Sequence, residues 1–135
     1  MKRFLSLALL LYFGVSIGQN EVRLDWYNMA GMELGGKAKA VTSNPFQRFP
    51  DSMQSLVRKR VWDLSENPSG VYVDFQTDAS QVIVKYVVNG PLQFPHMPAT
   101  GVSGVDLYTY QNNTWKWLKG HYQFQDTISY RYRLK

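Results

Sequence analysis

The chain of 135 residues is long enough for one hydrophobic core and too short for two, and its 44% hydrophobic and 19% charged residues mark it as globular rather than disordered. Its formal charge is +5, but with Lys2 and Arg3 set aside as part of a leader-like segment, 13 basic residues face 10 acidic ones, a mild +3. The basic residues are scattered, which argues against a nucleic-acid partner, and the absence of cysteine excludes disulfides and thiolate metal sites.

Met1-Lys2-Arg3 leads into an apolar run, 4–17, with Ser16 and Gly18 at the −3 and −1 positions of a cleavage site before Gln19. This is the layout of a secretory signal peptide, and the run is shorter than the roughly 20 residues of a membrane-spanning helix. Residues 1–18 are therefore expected to be removed. The mature domain, 19–135, is expected to be exported to the periplasm or the exterior, with no membrane segment left.

Turn signals at Asn28-Met29-Ala30-Gly31 and Leu34-Gly35-Gly36 break up the next stretch, with a short strand expected around 21–27. Pro45 and Pro50 bracket an extended Phe46-Gln47-Arg48-Phe49, and Pro50-Asp51-Ser52 can open a helical turn through Met53 and Leu56. From Leu56 a period of two sets in, so 57–64 reads as a strand, although its two faces do not separate cleanly. Beyond the Asn67-Pro68-Ser69-Gly70 turn, 71–77 alternates with Val71, Val73 and Phe75 on one face. Residues 81–88 are apolar on both faces apart from Lys85, the pattern of a central strand.

In the next strand Val105 and Leu107 are expected to face the core, with Asp106, Tyr108 and Tyr110 on the opposite face. Gln111-Asn112-Asn113 reads as a hairpin turn and 114–118 as the return strand, with Trp115 and Trp117 on one side. Gly120 and Asp126 punctuate two further strands, the last alternating from Tyr130 onward. Turn signals every ~8–12 residues predict an all-β fold, a jelly-roll-like β-sandwich.

Few residues offer chemistry. Gly101-Val102-Ser103-Gly104-Val105 imitates a nucleophile elbow but lacks the closing glycine and a following helix, and a triad of Ser103, His121 and Asp126 has no support in spacing. His96 and His121 stand 25 positions apart without cysteines, and no acidic loop suggests calcium. No catalytic residue, metal or cofactor is expected. Ser103 reads as a turn residue and His96 as hydrogen-bonded to backbone. Asp106 is unremarkable if its face is solvated; if that face is covered it needs a cation, for which Arg48, Arg58 and Arg60 are available, or backbone donors. Tyr108, Tyr110, Trp115, Trp117 and Tyr122 read first as core, because burying a large side chain stabilises by roughly 1.5–3 kcal/mol. The alternative is a sugar-stacking surface, for which Tyr110, Trp115 and Trp117 are the candidate substrate-binding residues. Asn112-Asn113-Thr114 is a glycosylation sequon only in a glycosylating host.

The signature Gly104-Val105-Asp106-Leu107-Tyr108 is preceded by Met97-Pro98-Ala99-Thr100-Gly101. Upstream, in order, stand Arg48-Phe49-Pro50, Val61-Trp62-Asp63-Leu64-Ser65 and Ser69-Gly70. Together they resemble the N-terminal domain placed before the catalytic domain in secreted SGNH/GDSL-type hydrolases, with Gly104, Asp106, Leu107 and Tyr108 as the family motif. The resemblance spans most of the chain after the first twenty residues. It implies an accessory β-sandwich whose partner is a C-terminal SGNH hydrolase domain, a serine esterase that deacylates polysaccharide. This chain alone is then not catalytic, since neither a Gly-Asp-Ser turn nor an Asp-x-x-His pair stands in it. The resemblance also implies that the sandwich continues past Lys135, making the chain a fragment. The alternative is a short protein whose last strand lies at a sheet edge guarded by Arg131, Arg133 and Lys135. A self-standing carbohydrate-binding module and a purely structural domain stay open as other readings.

Overall fold

The computed structural model describes residues 23–39 and 42–134. The expected signal peptide, 1–18, lies outside the described residues, as does the start of the strand expected at 21–27; residues 23–28 are irregular. The chain divides between Asp74 and Phe75 into two compact units.

Proline, glycine and asparagine keep the first unit short of regular structure. It holds 3-10 turns at Met29–Gly31 and Asp51–Met53, strands β1 (Leu34–Gly35) and β2 (Tyr72–Val73) paired antiparallel, and helix α1 (Lys59–Ser65). The turn expected after Pro50 is present: the N–H groups of Leu56 and Val57 both donate to the Met53 carbonyl, at 3.0 and 3.2 Å. The strand expected at 57–64 is instead α1. Its buried residues, Trp62 and Ser65, are three apart, and Lys59 pairs with Asp63 one turn on at 2.7 Å. The unclean split into two faces was the trace of this helical period. The strand expected at 71–77 is likewise reduced to β2.

Arg48 closes the end of α1. Its backbone N–H donates to the Ser65 carbonyl at 2.9 Å and its Nη2 to the Leu64 carbonyl at 2.7 Å, satisfying acceptors that a helix end leaves unpaired and placing a cation at the negative pole. Beside it, buried Gln47 donates through Nε2 to Phe49 O at 2.8 Å and to Asp51 Oδ1 at 3.1 Å. Arg48-Phe49-Pro50 and Val61-Trp62-Asp63-Leu64-Ser65 are thus two ends of one hydrogen-bonded assembly.

The second unit is built from antiparallel strands, β3 (Gln81–Tyr86), β4 (Leu107–Gln111), β5 (Thr114–Leu118), β6 (His121–Gln123) and β7 (Ile128–Arg133), with a short helix, α2 (Ala99–Val102). The sheet order is β3-β7-β6, beside a separate β4–β5 hairpin. The centre of the sheet is therefore β7, paired on both sides, and not β3 as its apolar run suggested; nor does β7 lie at the edge. Strict alternation explains this placement. Ile128, Tyr130 and Tyr132 are 0%, 5% and 1% exposed, while Arg131 and Arg133 point the other way. Val82, Val84 and Tyr86 of β3 pack on that buried row, as do Val105, Leu107 and Leu118 from the hairpin side. Sheet and hairpin share one core between two layers, as in a β-sandwich.

Two phenols, half-buried Tyr86 and buried Tyr132, tie the β4 approach to the sheet: Tyr86 donates to the Ser103 carbonyl, and Tyr132 donates to the Val105 carbonyl at 2.6 Å. Burial pushes both hydroxyls up from the ordinary value of 10, since it penalises the phenolate. Their contribution to stability is full below pH 10. Above it the unfolded chain ionises while the folded one resists, so stability falls as pH rises toward the higher folded values. Urea midpoints at about pH 8 and about pH 10.5 should show this drop, and Tyr86→Phe should reduce it. An alkaline drop of equal size in Tyr86→Phe would remove Tyr86 as its cause.

Candidate functional site

The site is organised by the turn before β4. Pro98 stands at the start of α2, its carbonyl accepting the N–H groups of Gly101 at 2.9 Å and Val102 at 3.1 Å. The turn delivers Gly104 against its own backbone: a Cβ at that position would lie 2.1 Å from Thr100 O and 2.9 Å from the Tyr130 hydroxyl. Only glycine fits so close an approach. From there the strand alternates. Val105 and Leu107 turn to the core, and Asp106, Tyr108 and Tyr110 turn outward.

Asn112 and Asn113 close the hairpin with φ of 52° and 59°, the two left-handed residues of a type I′ turn, and Gln111 pairs with Thr114. That register sets Tyr108 opposite Trp117 and Tyr110 opposite Trp115. The four rings are 52–59% exposed and occupy one face. Tyr110 and Trp115 lie 4.9 Å apart at 47°, and Trp117 Nε1 donates to Asp106 Oδ1 at 2.9 Å.

The core reading of this aromatic set is therefore corrected. Leu107 and Leu118, themselves paired across the ladder, fill the inward side, so the aromatic side faces solvent. The candidate residues Tyr110, Trp115 and Trp117 come together, joined by Tyr108, whose place follows from the period of two. Tyr122 belongs elsewhere: on β6 it packs against Phe124 at 5.5 Å and Tyr130 at 5.4 Å. Asp106 is exposed, the case in which no cation is required, and its hydrogen-bond partner is the Trp117 indole, its diagonal neighbour on the ladder.

Ser103 is 8% exposed, and its hydroxyl donates to the Leu92 carbonyl at 3.1 Å, with the Pro91 carbonyl at 3.4 Å. That geometry holds a loop and does not aim a nucleophile. His96, exposed, stacks on Phe94 at 5.9 Å and 8° rather than bonding backbone. His121 lies on β6 opposite Arg131. Among the described residues no group of three His, Cys, Asp or Glu side chains gathers as metal ligands, and no helix is long and apolar enough to cross a membrane.

These features define an all-β domain whose outward offering is an aromatic strand pair seated on a glycine-dependent turn. The GxDLY family, described as the N-terminus of SGNH-hydrolase-type esterases, has a family model that matches residues 24–134. The chain belongs to that family. It is an accessory domain of such hydrolases, and the partner implied in the parent protein is a C-terminal SGNH domain. No curated protein and no solved structure matches the chain.

Proposed function

We propose that the chain is the non-catalytic N-terminal domain of an exported SGNH-type serine esterase that deacylates polysaccharide, and that its β4–β5 face holds the sugar chain. The observation that carries this reading is the outward row of Tyr108, Tyr110, Trp115 and Trp117. A fold that leaves four such rings half in water forgoes their burial energy, and contiguous exposed apolar surface of this kind marks an interaction site. Flat rings with polar edges suit the C–H faces of sugars. Successive rungs on a strand lie roughly 7 Å apart, so one chain can touch both. The catalytic serine and oxyanion donors belong to the SGNH domain, and the present domain brings the polymer to it. Export is supported by the positive start, the apolar run and the small residues before Gln19.

Affinity electrophoresis of the full chain through gels containing neutral xylan tests the surface. The native protein should be retarded. The double variant Trp115→Ala/Trp117→Ala should lose the retardation, with affinity down roughly tenfold or more. The variant should still unfold cooperatively in urea, because both rings lie more than half in solvent and outside the core. Native protein that migrates freely across a broad panel of polysaccharides would instead favour a purely structural domain.

A further inference from the structure

The aspartate of the G-x-D-L-Y motif has a place in this surface that its sequence position does not reveal. It stands two residues before Tyr108, and Tyr108 is the ladder partner of Trp117, so the Asp106–Trp117 bond runs diagonally across the hairpin. Indole Nε1–H is a donor only, and Asp106 Oδ1 takes it at 2.9 Å. An exposed tryptophan otherwise samples several rotamers. Here the ring is held by its one polar atom, and a side chain already ordered has less freedom to lose when a ligand stacks on it.

A carboxylate has two oxygens and accepts only. Asp106 spends Oδ1 on the indole, and among the described residues Oδ2 accepts no hydrogen bond and no cation lies within ion-pair distance, 4.0 Å. The result is a solvent-exposed acceptor beside a fixed aromatic ring. A neutral sugar fits both parts at once, laying its C–H face on the indole and donating a hydroxyl to Oδ2. A uronate brings a second carboxylate to the same place, where like charges repel.

We infer that Asp106 is a positioning and specificity residue: Oδ1 fixes the Trp117 indole, Oδ2 receives a hydroxyl of a neutral sugar stacked there, and the charge turns acidic sugars away. The inference rests on the sugar-binding role proposed for this face, and it adds the ligand class, neutral hydroxyl-bearing glycans, and the residue that selects it.

The test uses the full chain, native and as Asp106→Ala and Asp106→Asn. The readouts are solvent exchange of the Trp117 indole proton by NMR, assigned with Trp117→Phe, and affinity for a neutral xylo-oligosaccharide and for an oligogalacturonate. In Asp106→Ala the indole proton should exchange about tenfold faster, and neutral-sugar affinity should fall by about tenfold. Asp106→Asn keeps an acceptor oxygen, so the indole should stay protected while the preference for neutral over acidic sugar collapses. A purely structural aspartate would not move that preference. Indole exchange unchanged in Asp106→Ala overturns the positioning, whatever the sugars do. A preference unchanged in Asp106→Asn overturns the selection. Native protein that binds neither oligosaccharide defeats the sugar-binding role itself, and the exchange result still decides the positioning.

Discussion

Gly104→Ala should destabilise the second unit by about 3 kcal/mol or more, beyond the usual 1–3 kcal/mol of an overpacked site. The added methyl meets Thr100 O at 2.1 Å, Thr100 C at 2.9 Å and the Tyr130 hydroxyl at 2.9 Å. Neither neighbour can give way cheaply. Thr100 lies within α2, whose Ala99 carbonyl accepts the Ser103 N–H at 2.8 Å, so moving its carbonyl breaks the turn. Tyr130 is 5% exposed, stacked on Tyr132 at 5.8 Å and 14°, and set in the central strand. The control is Gly90→Ala, where a Cβ meets nothing within 4 Å. Thermal unfolding should separate the two by more than about 10 °C, given roughly 4–8 °C per kcal/mol for a domain of this size. Equal melting temperatures would show that the close approach at Gly104 relaxes freely. The signature glycine is thus a packing requirement, and it sets where Asp106, Tyr108 and the hairpin begin.

The hairpin was the most legible part of the chain. Alternation through β4 and β5, two asparagines at the turn and the G-x-D-L-Y signature together predict its strands and the residues sharing each side. What alternation cannot supply is which side meets water. Tyr108, Tyr110, Trp115 and Trp117 are as apolar as the row they oppose, and the tie is broken only by tertiary packing: Leu107 and Leu118 meet the β7 core and the rings do not. Helix α1 was misread for a related reason. Its buried side is Trp62 and Ser65, and a buried serine that donates to the Trp62 carbonyl at 2.7 Å leaves no hydrophobic mark in the sequence. For the sheet, an apolar run on both faces suggested that β3 was central, yet Val87 just beyond its end is 67% exposed, and the alternating β7 takes the middle. The Asp106–Trp117 bond is a diagonal contact that depends on hairpin register, which residue spacing alone does not fix.

The core under the hairpin makes a separate and larger demand than the surface above it. Ile128→Ala should cost about 2–5 kcal/mol, the range for truncating a buried aliphatic side chain to alanine. Ile128 is 0% exposed, pairs with Tyr86 across the β3–β7 ladder and begins the row continued by Tyr130 and Tyr132. Leu107 and Leu118 rest on the same cluster, so the aromatic face is only as fixed as that row. Against a typical stability of about 5–15 kcal/mol, such a loss is large. Urea unfolding should show a lower midpoint with an unchanged m-value, and sugar retention should vanish in step with folding as urea rises. Trp115→Ala/Trp117→Ala should do the reverse, losing retention while the domain stays folded and its midpoint moves only by the small cross-strand contribution of the two rings. A midpoint shift worth less than about 1 kcal/mol for Ile128→Ala would mean that this end of the β7 row does not carry the core, and the support beneath the aromatic face would have to be sought at Tyr130 and Tyr132 and in the hydrogen bonds of Tyr86 and Tyr132 instead.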